Sequence, residues 1–291
     1  MKLPAPLAAA LLLAAFADPL PAAEPAAPPP GCTAQRVDLP GCRIVSYYGN
    51  PLSKRMGILG EIPVDEMLER LEAQAEEWRR ADPATPVLPA LELVATVAST
   101  EPGPSGLYRN RMPDALIEKV VGWAARKNWL VILDVQVGHS TVRAEVERLE
   151  PFLSRPHVHL ALDPEFDMPR GVAPGRRIGS SDGEDVNVAS ILLSTIAARG
   201  ALPPKLLLVH RFTMPMLKRY KRIRLDPRVN IVVVMDGFGL PALKRKVYRL
   251  TVANEPVQHA GLKLFYKNDK PLMTPEEILR LEPVPLVIIY Q

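Results

Sequence analysis

The chain has 291 residues, a mass of 32.0 kDa, 47% hydrophobic and 23% charged residues, and 36 basic against 32 acidic side chains. That balance excludes an intrinsically disordered chain, and a net charge of +4 spread along the sequence does not point to nucleic acid. Thirty-two prolines exclude a long coiled coil or a simple helical bundle.

Met1-Lys2 precedes the apolar run Ala8 to Ala17, too short to span a bilayer and of the length of a secretory signal core. Small residues at Ala17 and Ala23 offer cleavage sites. Residues 1–23 therefore read as a signal peptide of an exported protein, whether periplasmic, extracellular or on the cell surface, with no transmembrane segment in the mature chain. Residues 24–42 follow as a Pro/Ala-rich spacer and N-terminal segment ending at the only two cysteines, Cys32 and Cys42. In an oxidising compartment these close a small disulfide loop. The competing reading is a lipidated Cys32, although Pro29-Pro30-Gly31-Cys32 lacks the apolar residue expected three places earlier.

From residue 43 to 291, short β-branched runs alternate with amphipathic segments. Strands are predicted at 43–49, 89–99, 129–136, 158–163, 205–211, 229–236, 261–266 and 286–290, and helices at 64–80, 113–127, 141–154, 184–199, 213–222, 241–252 and 275–281. Helix starts carry their own signals, as in Thr274-Pro275-Glu276-Glu277, where a hydroxyl cap, a first-turn proline and two acids suit the dipole. Strict alternation implies a parallel sheet, and eight units close most economically into a (β/α)8 barrel of about 250 residues. A doubly wound open sheet is the alternative, but Gly49-Asn50-Pro51-Leu52 is not a glycine-rich phosphate turn. The final outer helix is missing, and the segment before the first strand is expected to cover that flank.

Reactive groups of such barrels sit at the carboxyl ends of the strands. There the chain reads Asp134-Val135-Gln136, Asp163-Pro164-Glu165, His210-Arg211, Asp236-Gly237, Tyr266 and Tyr290. Period-two alternation turns Asp134 and Gln136, His159, Ala161 and Asp163, and Val232, Val234 and Asp236 toward the lumen, with Glu165 following if the extended path continues. A single acid at such a place often caps a helix or pairs with an arginine such as Arg211. Asp134, Asp163, Glu165 and Asp236 together raise one another's pKa values and cost stability, which points to a function.

Two carboxyl groups with separated pKa values suffice to cleave a glycosidic bond. The Asp163-Pro164-Glu165 pair resembles the acid pair at the end of strand four in family 18 chitinases and family 25 lysozymes, which are secreted barrel hydrolases. That resemblance implies Glu165 as general acid, Asp163 as its electrostatic partner and Asp236 as a substrate-orienting or stabilising carboxylate, with Asp134 in support. It departs from the chitinase pattern at Ala161, where another acid is usual, and at Met235-Asp236-Gly237-Phe238 in place of Met-x-Tyr-Asp. The phrases LDVQ, LDPEF, MDGFG, KLFY and PLMTP also resemble those of secreted bacterial barrel proteins, a likeness that brings no activity with it.

Other groups widen the reading. His210 beside the acids is expected to hydrogen-bond a substrate hydroxyl or a carboxylate, with Tyr48, Gln136, Tyr266 and Tyr290 as further substrate-binding residues. A metal-dependent hydrolase using His210, Asp134, Asp163 and Asp236 is one alternative and a non-catalytic glycan-binding surface protein another. Lys263 is expected in the lumen, with Glu92 as internal partner rather than as a Schiff-base nucleophile. Tyr47, Tyr48, Tyr108, Phe166, Phe238, Tyr266 and Tyr290 gather near strand ends, where rings stack on sugar faces. The basic run Lys218 to Arg224 reads as the solvated face of a short helix, and the long loops 50–63, 100–112 and 166–183 as walls of a groove. The leading expectation is thus a monomeric glycoside-hydrolase-like barrel acting on a glycan or cell-envelope polysaccharide, without a cofactor or metal.

Overall fold

The computed structural model describes Met1 and residues 31–291, so the leader and most of the spacer lie outside the described residues. Eight strands form the core: β1 (Arg43–Gly49), β2 (Val87–Ala98), β3 (Leu130–Val135), β4 (Val158–Leu162), β5 (Lys205–Arg211), β6 (Val229–Met235), β7 (His259–Leu264) and β8 (Val287–Tyr290). Each pairs in parallel with the next, and β8 pairs in parallel with β1, Val287 opposite Ile44, so the sheet closes. This is a TIM-type (β/α)8 barrel, which leaves no free edge in its ring.

Around it lie α1 (Val64–Ala81), α2 (Asp114–Ala125), α3 (Val142–Leu153), α4 (Gly183–Arg199), α5 (Pro241–Tyr248) and α6 (Pro275–Ile278). Alternation along the strands splits the core in two. Val131, Leu133 and Val135 of β3 join the large apolar layer beneath the helices, whereas Leu130 and Ile132 join Ala161, Leu208, Val232, Val234 and Ile289 inside the barrel.

Two expectations change. The N-terminal segment does not cover the flank beside β8. A disulfide links Cys32 to Cys42 with Cα atoms 5.4 Å apart, and Cys32, Ala34, Val37 and Cys42 pack against Ile44, Leu88, Leu130, Leu206 and Val287 at the strand starts. The segment therefore plugs the bottom of the barrel, where those apolar residues would otherwise face water. The flank between β8 and β1 is closed instead by α1, whose buried Trp78 donates Nε1–H to the Tyr290 hydroxyl at 3.0 Å.

Residues 213–222 form no α-helix. Two 3₁₀ turns, Met214–Met216 and Tyr220–Arg222, flank Leu217–Lys218, which pairs in parallel with Ser181–Asp182. The burial explains this, because Met216 and Leu217 are inside side by side and not at the three- or four-residue spacing of a helix face. Arg219 then adopts a left-handed conformation, φ 49°, which ends any helical path. The basic side chains from Lys218 to Arg224 are exposed, as expected.

Candidate active site

At the carboxyl end of the barrel a pocket of about 740 Å³ opens, with Asp163, Glu165, Asp236 and Lys263 as its charged base beside Tyr48 and Gln136. Strand alternation delivers Asp163, Asp236 and Lys263 into the lumen from β4, β6 and β7. β2 carries a bulge between Val94 and Thr96. The extra residue lets Thr96 turn outward to Glu145 of α3, its hydroxyl 3.3 Å from Oε2, while Val97 returns to the pocket wall.

The chain does not continue extended past Asp163. It enters one 3₁₀ turn, Pro164–Phe166, in which the Asp163 carboxylate accepts from the Glu165 backbone N–H at 3.2 Å. Glu165 still reaches the pocket, half-buried. Gly179 holds this turn down: its N–H donates to the Glu165 carbonyl at 2.6 Å. A Cβ at Gly179 would lie 2.5 Å from the Asp167 carbonyl oxygen and 2.6 Å from that of Glu165, so only glycine fits.

Beneath the pocket runs a chain of alternating charges. Glu92 Oε1 lies 2.9 Å from His210 Nε2, and His210 Nδ1 lies 3.0 Å from Asp236 Oδ2, at ion-pair distance but out of line for a hydrogen bond. Lys263 Nζ donates to the same Asp236 oxygen at 3.2 Å and sits 3.5 Å from the centre of the Tyr48 ring. The Tyr48 hydroxyl donates to Asp134 Oδ2 at 3.1 Å. Lys263 thus faces the lumen as expected, but its partner is Asp236; Glu92 is taken by His210. His210 is fully buried, so it holds Asp236 from below and does not touch a ligand in the pocket.

This chain sets the protonation states. Burial opposes the charge on His210, but Asp236 and Glu92 outweigh it and keep the imidazolium well above its usual pKa. Burial likewise opposes ionisation of Asp236, yet Lys263 and His210 hold it below the usual carboxylate range. Asp163 is pushed the other way, well upward, by burial and by the charge of Asp134. Burial and the Asp236 charge raise Glu165, and burial raises Asp134 to about 6. Among the described residues Asp134 Oδ1 has no hydrogen-bond partner. The site therefore pairs a carboxylate whose pKa is lowered, Asp236, with two whose pKa values are raised, Asp163 and Glu165, a separation that suits general acid chemistry.

Of the residues predicted from sequence, Asp163, Glu165, Asp236, Tyr48 and Gln136 meet in this pocket. Gln136 donates Nε2–H to Asp163 at 3.3 Å and accepts from the Ala98 N–H at 2.9 Å, which fixes its amide. Asp134 lies one layer deeper, behind Tyr48. Tyr266 and Tyr290 are not brought here: they stack on each other at 5.3 Å between the barrel and α1, with Tyr47 edge-on to both. The reason is parity, since Ile289 faces the lumen and its neighbour Tyr290 must face outward. The walls include residues that sequence reading passed over, Phe212, Leu243, Val247 and Phe265. Phe265 is separated from the lumenal Lys263 by one residue, a period-two signal that was present in the chain.

The donor set for a metal is not assembled. Among the described residues no three His, Cys, Asp or Glu side chains group so as to hold an ion, and the lysine cation paired with Asp236 is Lys263.

No protein-family model matches the chain, and no curated protein matches it. Among solved structures it is similar to an oxaloacetate acetylhydrolase in complex with the inhibitor 3,3-difluorooxalacetate, at 12% identity over 86% of this chain and 74% of that one, TM-score 0.48. It is similar as well to a ruminal GH26 endo-beta-1,4-mannanase, at 10% identity over 86% of this chain and 58% of that one, TM-score 0.37. Neither likeness assigns any chemistry to the pocket.

Proposed function

We propose that the protein is an exported glycoside-hydrolase-like barrel that cleaves a glycan, with Glu165 as general acid. The observation that carries this reading is the half-buried Glu165, its pKa raised by burial and by the Asp236 charge, in one pocket with Asp236, whose pKa is lowered. Glu165 would protonate the departing glycosidic oxygen as its bond to the anomeric carbon breaks, while Asp236, held charged by Lys263 and His210, stabilises the positive charge developing there; water then adds to the anomeric carbon and returns its proton to Glu165. Asp163, its pKa pushed well upward by burial, orients substrate or the Glu165 turn, and Gln136 fixes Asp163. Phe166 supplies a ring face against which a sugar packs. Export is supported by the Cys32–Cys42 disulfide, and among the described residues no helix is long and apolar enough to cross a membrane.

The test is a screen of soluble and cell-envelope polysaccharides with wild type and Glu165→Gln. Cleavage by wild type that falls at least about 100-fold in the variant, with binding retained, supports the assignment. Binding by both proteins with cleavage by neither would instead identify a glycan-binding barrel.

A further inference from the structure

The pocket is not polar all round. On the side of β5, β6 and β7 its wall is built from Phe212, Phe238, Leu243, Val247 and Phe265, while the carboxylates and Lys263 occupy the base. Part of this wall stands in water: Phe238 is 61% exposed and Leu243 48%, and Leu240 between them in the chain is 62% exposed. Phe238 lies edge-on to Phe265 at 5.9 Å, which joins it to the wall. Leu and Val side chains offer no flat face for a sugar ring, and large apolar side chains gathered at a pocket lip mark a place where apolar matter binds. The volume of about 740 Å³ is that of a drug-sized ligand and exceeds what one sugar ring over the acids would fill.

We infer that the substrate is amphiphilic: a glycoside whose sugar sits over Asp163, Glu165 and Asp236 and whose alkyl aglycone lies along Phe212, Phe238, Leu243 and Val247. The inference rests on the glycan reading above and adds the chemistry of the other half of the ligand. Glu165 then protonates the aglycone oxygen as its bond to the anomeric carbon breaks, the alcohol departs along the apolar wall, and water adds to the anomeric carbon and returns its proton to Glu165. Burial of the chain makes affinity depend on its length, each methylene strengthening binding roughly threefold to fourfold until the wall is filled.

The experiment is ligand-observed NMR titration of Glu165→Gln protein with methyl, hexyl and octyl β-glucosides and β-maltosides and with hexanol and octanol, each below its micellar concentration. Expected is a steep gain in affinity from methyl to octyl glycoside, with octyl glycosides binding more tightly than octanol. Adding Phe238→Ser and Leu243→Ser together should weaken the octyl glycosides at least tenfold and leave the methyl glycosides unchanged. Both residues are solvent-facing, so the paired change leaves the barrel folded. Equal affinity for methyl and octyl glycosides, no binding of any octyl probe, or a chain-length gain that survives the double variant would overturn the inference. If glycans are nonetheless cleaved, the glycan reading stands without the aglycone. Octanol binding as tightly as octyl glycosides, with the gain lost in the double variant, would contradict the sugar half and leave the wall an alkyl site.

Discussion

Asp236 and Glu165 face one pocket but are driven in opposite directions: Lys263 and His210 lower the pKa of Asp236, while burial and the Asp236 charge raise that of Glu165. The pH profile of kcat/KM should therefore be bell-shaped, rising as Asp236 ionises and falling as Glu165 does. Lys263 lowers the pKa of both groups, so Lys263→Met should move both limbs of the bell to higher pH. Asp236→Asn should cut kcat, and in its residual activity the alkaline limb should move to lower pH, because the charge that raises Glu165 is gone. Profiles of the two variants check these signs, and limbs that stay in place would show that other groups titrate. His210 and Glu92 lie beneath Asp236 and do not line the pocket, so they are positioning residues.

The turn Pro164–Phe166 is the element on which the site depends, and the return of the 168–180 loop across it leaves room for a hydrogen atom alone at Gly179. Gly179→Ala should displace Glu165, lowering activity about ten- to hundredfold and stability by roughly 1–3 kcal/mol. Circular dichroism and thermal melting separate the two effects, and full activity would show that the turn is not needed in this place. The strand elements were legible because alternation of strand parity is local: it put Asp134, Asp163 and Asp236 inside correctly and shows Tyr290 outside once Ile289 is taken as lumenal. The lumenal face of β8 was not assigned from sequence, so Tyr290 was misplaced. Pairings across the barrel, such as Lys263 with Asp236 and Glu92 with His210, depend on relative depth, which no single strand encodes. Residues 213–222 misled for a different reason, since basic residues between apolar ones satisfy a helical pattern while the buried pair Met216 and Leu217 does not.

At the scale of the molecule, the closed ring of eight parallel pairs makes both ends of the barrel matter. The carboxyl end carries the acids, and the other end is stoppered by residues 31–42. Closing that short loop should stabilise the fold by about 2–3 kcal/mol through the entropy of the unfolded chain. The reduced protein or Cys32→Ser/Cys42→Ser should melt several degrees lower without changing KM, because the plug lies at the end opposite the pocket. An altered KM with unchanged melting would place the segment near the substrate instead. Glu165 as an acid that cleaves glycosidic bonds is the central assignment. Reducing-end assay of a polysaccharide panel, run side by side with wild type and Glu165→Gln, tests it most directly. Wild type is expected to cleave at least one glycan, with a loss of at least about 100-fold in the variant; cleavage at equal rates by both proteins would contradict the assignment.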